Sequence, residues 1–269
     1  MRKAAIVPSD REETPCPLAE ASRVIAGIRI SALSAAAVTR HIAARLDAGS
    51  FTKVAFLNAH CVNLAYEVHD YRASLDDFVV LPDGIGIDLA SRLLFDQPFP
   101  ENLNGTDFVP FLLGELPRGM RVGLIGAAAG VVEAAAARFA ADIPQHVYLP
   151  ISDGYFDEGV DTARVVEEIR AAKADIVLVA LGVPRQELFI ARHLTGREAT
   201  VAIAVGALFD FKAGIIPRAP LMVRRLRGEW LYRLCAEPRR LWKRYILGNP
   251  QFLLHILRER RQRPAVDTL

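Results

Sequence analysis

The segment Leu81-Pro82-Asp83-Gly84-Ile85-Gly86-Ile87-Asp88 joins two hydrophobic patterns of different period. An apolar run over residues 78–81 ends at its start, and apolar residues at helical spacing continue to Leu94. The run predicts a buried strand and the spacing predicts a helix, so the segment is the turn at the carboxyl end of a strand. Ligands of open α/β sheets bind at such turns. Its two glycines permit positive φ and close approach of the backbone.

Asp83 is the chemical group of interest in this turn. A carboxylate in the crevice at a strand end is suited to act as a general base or to anchor a ligand. The helix that follows favours an anion at its N-terminus. The simpler interpretation is a plain Asp-Gly turn without chemistry, because that pair is common in turns.

Alternation of strand and helix continues along the chain. Helical patterns of ten to fifteen residues separate short, almost wholly apolar runs, which is typical of a parallel sheet covered on both faces. We therefore predict an α/β fold with a Rossmann-like, mostly parallel sheet of six or seven strands. The predicted strands are residues 24–30, 53–57, 78–81, 121–125, 147–149, 175–181 and 201–205.

Three regions are expected in the 269 residues. Residues 1–22 contain three prolines and no periodicity, which indicates a flexible leader. Residues 23–218 form the α/β catalytic domain, and residues 219–269 form a basic, amphipathic, helical appendage. The appendage holds 12 of the 33 basic residues, only 4 of the 31 acidic residues and both tryptophans.

The appendage has three interpretations. Basic, Trp-bearing amphipathic helices often lie on anionic membrane surfaces, and this is the favoured one. A helical cap with solvated arginines and a nucleic-acid-binding segment are the alternatives. The acidic balance of the remaining chain argues against duplex binding. Because the N-terminus lacks a signal peptide and no apolar run is long enough to span a bilayer, we expect a cytoplasmic or peripheral protein.

Polar and glycine residues recur where the predicted strands end. Since the carboxyl ends of parallel strands share one edge of the sheet, these residues predict an active cleft along that edge. Gly123-Leu124-Ile125-Gly126 resembles a loose phosphate turn but has neither the GxGxxG nor the Walker A spacing. The three cysteines are scattered without metal-ligand spacing, which favours a reducing compartment. The strand-end residues are Asn58, His60, Asp83, Gly126, Asp153, Tyr155, Gly182, Gln186 and Asp210.

Taken together, the motifs resemble the bacterial WecG/TagA/CpsF glycosyltransferase family. Eight blocks occur in the family's order over about residues 50–245. They are Leu57-Asn58-Ala59-His60, Pro82-Asp83-Gly84-Ile85-Gly86, Asn104-Gly105-Thr106-Asp107, Asp153-Gly154-Tyr155-Phe156, Gly182-Val183-Pro184-Arg185-Gln186-Glu187, Val205-Gly206-Ala207-Leu208-Phe209-Asp210 with Ala213-Gly214, Arg218-Ala219-Pro220, and Glu229-Trp230-Leu231-Tyr232-Arg233-Leu234 with Glu237-Pro238.

The resemblance implies a GT-E-like fold and an inverting, metal-independent transfer without a cofactor. The implied donor is a UDP-sugar, the implied acceptor is a polyprenyl-diphosphate-linked saccharide, and the implied location is the inner face of the cytoplasmic membrane. Self-association into a homo-oligomer is left open. The family's catalytic base falls on Asp83, its cleft asparagine on Asn58 and its cleft glutamine on Gln186.

The substrate-binding residues expected from the strand ends and the matching blocks form a larger set. The family aspartate near the uridine falls on Asp210, and the arginines for the diphosphate are expected in the C-terminal segment. The set is Gly84, Gly86, Asn104, Asp107, Gly126, Asp153, Tyr155, Gly182, Pro184, Gly206, Phe209, Asp210, Arg218, Arg225 and Arg233.

One departure from the family pattern bears on the donor. Members that use N-acetylmannosamine often have Thr two residues before the asparagine, where this chain has Phe56. We therefore expect a hexose donor for exopolysaccharide or another surface polysaccharide. The alternative is an N-acetylmannosaminyl or N-acetylmannosaminuronic acid transferase of the teichoic acid or common-antigen type. Other classes are a non-catalytic UDP-sugar-binding scaffold and a nucleotide-cofactor oxidoreductase, against which the missing GxGxxG argues.

Overall fold

A computed structural model describes this chain over residues 21–220, 222–223 and 228–263. Nearly all of the predicted leader and one predicted arginine, Arg225, lie outside these residues. The described chain alternates strands with helices, as the hydrophobic periodicity predicts.

The first two strands form an antiparallel hairpin apart from the main sheet. Strand β1 (Ser22–Ile25) pairs with β2 (Ile28–Ser31) across a two-residue turn. The turn residues Ala26 and Gly27 have φ of 54° and 73°, the left-handed conformation that tight hairpins use. The sequence-based prediction of a single strand over residues 24–30 is wrong, because it missed this reversal within an apolar stretch.

The other elements follow in chain order. They are α1 (Ala35–Asp47), β3 (Thr52–Leu57), α2 (Ala59–Glu67), α3 (His69–Ser74), β4 (Phe78–Pro82), α4 (Gly84–Phe95), α5 (Gly105–Glu115), β5 (Arg121–Gly126), α6 (Val131–Asp142), β6 (Val147–Ser152), α7 (Thr162–Ala172), β7 (Ile176–Ala180), α8 (Arg185–His193), β8 (Val201–Ala204), α9 (Leu208–Lys212), α10 (Glu229–Ala236), α11 (Pro238–Trp242), a π-helical turn (Lys243–Leu247) and α12 (Gly248–Gln262).

Strands β3 to β8 form one six-stranded sheet in the order β4-β3-β8-β7-β5-β6, and every pair is parallel. The central strand β7 is buried along its whole length, whereas the edge strand β6 is partly exposed. This arrangement confirms the predicted Rossmann-like α/β class. Because all six strands are parallel, their carboxyl ends lie along one edge.

Helices cover both faces of this sheet, each over its own apolar core. Helices α2, α3, α4, α7, α8 and α12 contribute buried side chains to the first core. Helices α1, α5, α6 and α9 contribute to the second. After β3 and β7 the chain therefore leaves toward the first face, and after β8 and β5 toward the second. Where neighbouring strands part in this way a crevice opens at their carboxyl ends, so one runs across the ends of β3, β8, β7 and β5.

The last helix, α12, is built into the first core. Its Phe252 and Ile256 side chains are 2% and 0% exposed. The Asn63 side chain of α2 donates to the Gly248 carbonyl at 2.8 Å, and Glu259 accepts from the Ala26 N–H at 2.8 Å. Helix α12, which lies within the predicted appendage, therefore packs on the α/β domain. Among the described helices, none is both long enough and apolar enough to cross a bilayer.

Candidate active site

Asp83 lies at the carboxyl end of β4, in the N-cap position of α4. Its N–H donates to the Leu57 carbonyl at 2.9 Å, which ties it to the end of the neighbouring strand β3. The next residue, Gly84, has φ of 81° and open space where a side chain would be. The Asn102 side chain holds this glycine by accepting from its N–H at 2.9 Å and donating to its carbonyl at 3.0 Å. The Asp83 turn is thus fixed from both sides.

Asn58 is the direct partner of the Asp83 carboxylate. Its Oδ1 caps α2 by accepting from the N–H groups of His60 and Cys61 at 3.1 and 3.2 Å. Because capping occupies the oxygen, the amide nitrogen is turned toward Asp83 and donates to Oδ2 at 3.2 Å. The amide therefore leaves one carboxylate oxygen for other partners, as a general base requires.

Opposing influences act on the pKa of Asp83. Burial raises it, and Asp107 raises it further, while the Asn58 hydrogen bond and the positive charges of Arg244 and Arg233 lower it. The net direction is upward, with burial the largest cause. A raised pKa makes this carboxylate a stronger proton acceptor than an exposed aspartate.

The C-terminal segment brings arginines to this carboxylate. Arg244 of the π-helical turn contacts Asn58 Oδ1 through Nη2 at 3.4 Å. Arg233 of α10 lies over the Phe211 ring at 5.2 Å and lowers the pKa of both Asp83 and Asp210. In the part of the chain that the structure describes, the buried Nε atoms of both arginines have no hydrogen-bond partner. Such donors suit an anionic ligand.

A second charged group lies at the start of α5. Asn104 caps this helix by accepting from the Asp107 N–H at 3.0 Å, and its amide nitrogen donates to Asp107 Oδ2 at 3.0 Å. Arg218 pairs with Asp107 Oδ1 at 2.6 Å. Asp107 is therefore in direct contact with both Asn104 and Arg218, and all three are predicted site residues.

Gln186 joins the ends of β7 and β8. Its side chain is 3% exposed, and its Oε1 accepts from the Gly206 N–H at 3.0 Å. Its Nε2 donates to Glu187 Oε1 at 2.8 Å. Gly182 precedes it with φ of 78° and open space around it, and Pro184 occupies the N-cap of α8. These four predicted residues thus lie together at the carboxyl ends of β7 and β8.

The predicted glycine at the end of β5 has a steric explanation. Gly126 has φ of 115°, and a Cβ atom there would lie 2.4 Å from the Ala180 carbonyl oxygen of β7. The next residue, Ala127, donates to that same oxygen at 3.0 Å. A side chain at position 126 would therefore force β5 and β7 apart at the crevice.

Asp153 and Tyr155 are predicted site residues that the structure does not bring to Asp83. They follow β6, five strand positions from β4, so they lie about 24 Å away at about 4.8 Å per strand. Asp153 accepts from the Tyr155 N–H at 2.9 Å, and the Tyr155 side chain is 84% exposed. Both line a polar cavity of about 340 Å³ at this far edge of the sheet.

Two further predicted contacts serve packing in this structure. Phe209 is 0% exposed and packs in the second core, and its expected contact with substrate stays a prediction. A Cβ atom on Gly86 would lie 3.1 Å from the Ala59 side chain and 3.5 Å from Phe252. Gly86 therefore lets α12 approach α4. Asp210, beside Phe209, is half-buried, and burial raises the pKa of its carboxyl.

Comparison of the chain with known proteins assigns it to a family. The WecG/TagA/CpsF family of glycosyl transferases matches residues 23–266. The chain belongs to this family. It is 36% identical over 187 residues to the N-acetylglucosaminyldiphosphoundecaprenol N-acetyl-beta-D-mannosaminyltransferase of Bacillus subtilis (strain 168), covering 68% of this chain and 70% of that one. A Staphylococcus aureus (strain NCTC 8325) protein of the same name is 31% identical over 186 residues, covering 68% and 70%.

This WecG/TagA/CpsF glycosyltransferase has site residues that sequence reasoning missed. Arg244 contacts Asn58, but it is one of twelve basic residues in the tail and nothing in its spacing sets it apart. Asn102 clamps Gly84 from a stretch without periodicity. Glu187 follows the predicted glutamine, and only its complete burial distinguishes it from an ordinary helical glutamate. Among the described residues, no three His, Cys, Asp or Glu side chains are grouped to hold a metal ion.

Proposed function

We propose that this enzyme transfers an N-acetylmannosaminyl residue from a UDP-sugar to a polyprenyl-diphosphate-linked N-acetylglucosamine. The observation that carries the chemistry is the Asp83 carboxylate, oriented by Asn58 at the carboxyl end of β4 with arginines beside it. Support for the substrates comes from the relatives, which are N-acetylmannosaminyltransferases by name.

In the proposed step Asp83 is the general base. It takes the proton of the acceptor hydroxyl while that oxygen attacks the anomeric carbon of the donor. The bond from this carbon to the diphosphate oxygen breaks on the opposite face, so the configuration inverts and UDP leaves. Burial supports this role because it raises the pKa of Asp83 and strengthens the carboxylate as a proton acceptor.

Charge that develops on the departing diphosphate needs compensation. Arg244 and Arg233 each carry a buried Nε that has no partner among the described residues, and Arg218 lies at the start of α5. Donors fixed before the reaction stabilise a developing anion without reorganisation. We assign these arginines to the diphosphate; Arg225, also predicted for it, is outside the described residues.

The hexose donor expected from Phe56 is less well supported than its alternative. Phe56 is 8% exposed, packs edge-on against Phe108 at 6.3 Å, and fills the space beside Gly105. Its side chain therefore faces the second core, so the lack of a hydroxyl there bears on packing rather than on the donor. With that argument removed, the N-acetylmannosaminyltransferase names of the relatives favour the alternative.

A donor screen tests the proposed substrates. The purified enzyme is given polyprenyl-diphosphate-linked N-acetylglucosamine with UDP-N-acetylmannosamine, UDP-N-acetylglucosamine or UDP-glucose, and UDP release is measured. We expect UDP-N-acetylmannosamine to react about tenfold faster than the others, because the relatives are N-acetylmannosaminyltransferases by name and enzymes discriminate such donors by differential binding in the transition state. Faster release from UDP-glucose would restore the hexose interpretation. Saturable UDP-sugar binding without turnover would instead support the scaffold alternative.

The proposed acceptor places part of the enzyme at a membrane surface. The C-terminal segment exposes the large apolar side chains of Leu231, Trp242, Ile246 and Leu247, each between 43% and 56% exposed. Exposed arginines and Lys243 lie among them. Apolar side chains surrounded by positive charge bind anionic lipid surfaces. We assign this face to the inner surface of the cytoplasmic membrane.

Co-sedimentation with vesicles tests this membrane face. Replacing Ile246 and Leu247 together by Ser is expected to weaken binding to phosphatidylglycerol vesicles about tenfold, because two apolar side chains are removed from the contact. The control is Val160→Ser, which removes an apolar side chain that is 81% exposed on the β6–α7 loop. Equal binding by the double variant and the wild type would refute this assignment.

A further inference from the structure

Glu187 is a buried carboxyl group that the proposed mechanism leaves without a role. It is 0% exposed and lies in the first turn of α8 over the first core. Its Oε1 accepts from Gln186 Nε2 at 2.8 Å, while its buried Oε2 has no hydrogen-bond partner in the described part of the chain. An unpaired buried oxygen of this kind is costly and calls for an explanation.

No basic side chain compensates Glu187 within the described residues. The titratable groups that face it are Cys61 of α2 and Tyr71 of α3. Burial raises the pKa of both, that of Cys61 to about 12, so neither carries charge near neutral pH. The strands beneath α8 contribute apolar side chains to this core. The free-energy cost of burying the Glu187 carboxylate is therefore not offset by an ion pair. Proteins keep such unfavourable buried groups mainly at functional sites.

The geometry shows what the carboxylate controls. An amide side chain has a donor end and an acceptor end of almost equal shape, and its partners decide which way it points. An ionised carboxylate only accepts, so Glu187 selects the nitrogen of Gln186. The Gln186 oxygen is then turned to the Gly206 N–H, at 3.0 Å. Gln186, the second residue of α8, thereby holds the loop that leads from Gly206 to Asp210.

We propose that Glu187 is a positioning residue, which fixes the amide orientation of Gln186 and through it the Gly206 turn of the crevice. The inference rests on the proposed function only in linking this turn to transfer. A protonated Glu187 can donate to the amide oxygen of Gln186, which allows the Gln186 amide to adopt the opposite orientation. Burial raises the pKa of Glu187 to about 7, so this change of orientation falls near neutral pH.

The test is Glu187→Gln, which keeps the shape but can present either end to Gln186. We expect kcat to fall about tenfold with the donor KM almost unchanged, the loss corresponding to one oriented hydrogen bond. The inflection near pH 7 in the kcat profile should disappear, while the acid limb due to Asp83 stays. Glu115→Gln makes the same chemical change at an exposed position of α5 and should leave kcat unchanged.

Two readouts do not depend on turnover, so failure of this inference is distinguishable from failure of the proposed function. Hydrogen exchange of the Gly206 amide should be about tenfold faster in Glu187→Gln. The ordinary pKa of 4.5 is raised in the fold, so Glu187 lowers stability as pH rises from 4.5 to about 7. The free energy of unfolding of Glu187→Gln should not show this decrease between pH 4.5 and about 7.

If Glu187→Gln does not fold, the wild type provides the test. Its Gly206 protection factor should drop as the pH is lowered through about 7, because protonated Glu187 no longer selects the amide orientation. An unchanged protection factor across this range would overturn the proposal. So would a folded Glu187→Gln with wild-type kcat and pH profile.

Discussion

Replacing Asp83 by Asn is expected to lower kcat for sugar transfer about a thousandfold, within the range that a general base contributes. Asparagine has nearly the same shape and can still pair with Asn58, so the fold and the crevice are kept. It cannot take the proton of the acceptor hydroxyl. The measurement is UDP release under saturating donor and acceptor, with the donor Kd determined separately by calorimetry.

The control for this substitution is Asp76→Asn, the same change at an exposed position before β4. It should leave kcat unchanged. In the wild type the rate should rise with pH until Asp83 is deprotonated, and because burial raises its pKa, that rise should lie above the usual range of an aspartate. Asp83→Asn should abolish this limb. Wild-type turnover in Asp83→Asn would remove Asp83 from the role of base.

Much of this site can be predicted from the hydrophobic periodicity of the sequence and from the alternation of strands and helices along the chain. Short apolar runs separated by helical patterns predict parallel strands, and parallel strands gather their carboxyl ends by geometry alone. After β3 and β4, Asn58 is in contact with Asp83, and after β7 and β8, Gln186 is in contact with Gly206. The turn at Ala26-Gly27 was not predicted because the apolar pattern continues across it, so that Gly27 alone did not mark a reversal of the chain.

Spatial order within the sheet is what the sequence does not supply. Asp153 and Asp83 both follow strands, yet the first lies at one edge of the sheet and the second at the other. The order depends on which helix packs on which face, a result of many weak contacts. For the same reason the packing of Phe252 beneath Gly86 joins the last helix to the site without any motif.

Arg244 is also brought to the site by packing and not by a motif, and it has the largest expected effect on the chemistry. Arg244→Gln is expected to lower kcat about 300-fold, because a fixed positive charge beside the departing diphosphate is lost. The matched control is Arg239→Gln, an exposed arginine of the same segment. It removes one charge from the tail without removing one from the crevice, so its kcat should stay close to that of the wild type.

The pH dependence separates the two effects of Arg244. Its charge lowers the pKa of Asp83 against the dominant effect of burial, so its removal should raise that pKa further. The acid limb of the rate profile should then move to higher pH in Arg244→Gln. At a pH where Asp83 is ionised in both enzymes, the remaining loss of kcat in Arg244→Gln measures only the stabilisation of the leaving group. An unshifted acid limb would mean that Arg244 does not act on Asp83.

His60 gives a measure of the same charge that is independent of activity. Burial and, after it, Arg244 lower the pKa of His60 to about 4. In Arg244→Gln the burial and the opposing charge of Glu67 remain, so the imidazole should titrate at higher pH, which NMR of the free enzyme can follow. A raised His60 pKa together with wild-type turnover would keep Arg244 in the crevice but exclude it from catalysis. The combination of a raised His60 pKa, a shifted acid limb and a lost rate is expected only if one arginine faces both the base and the leaving group.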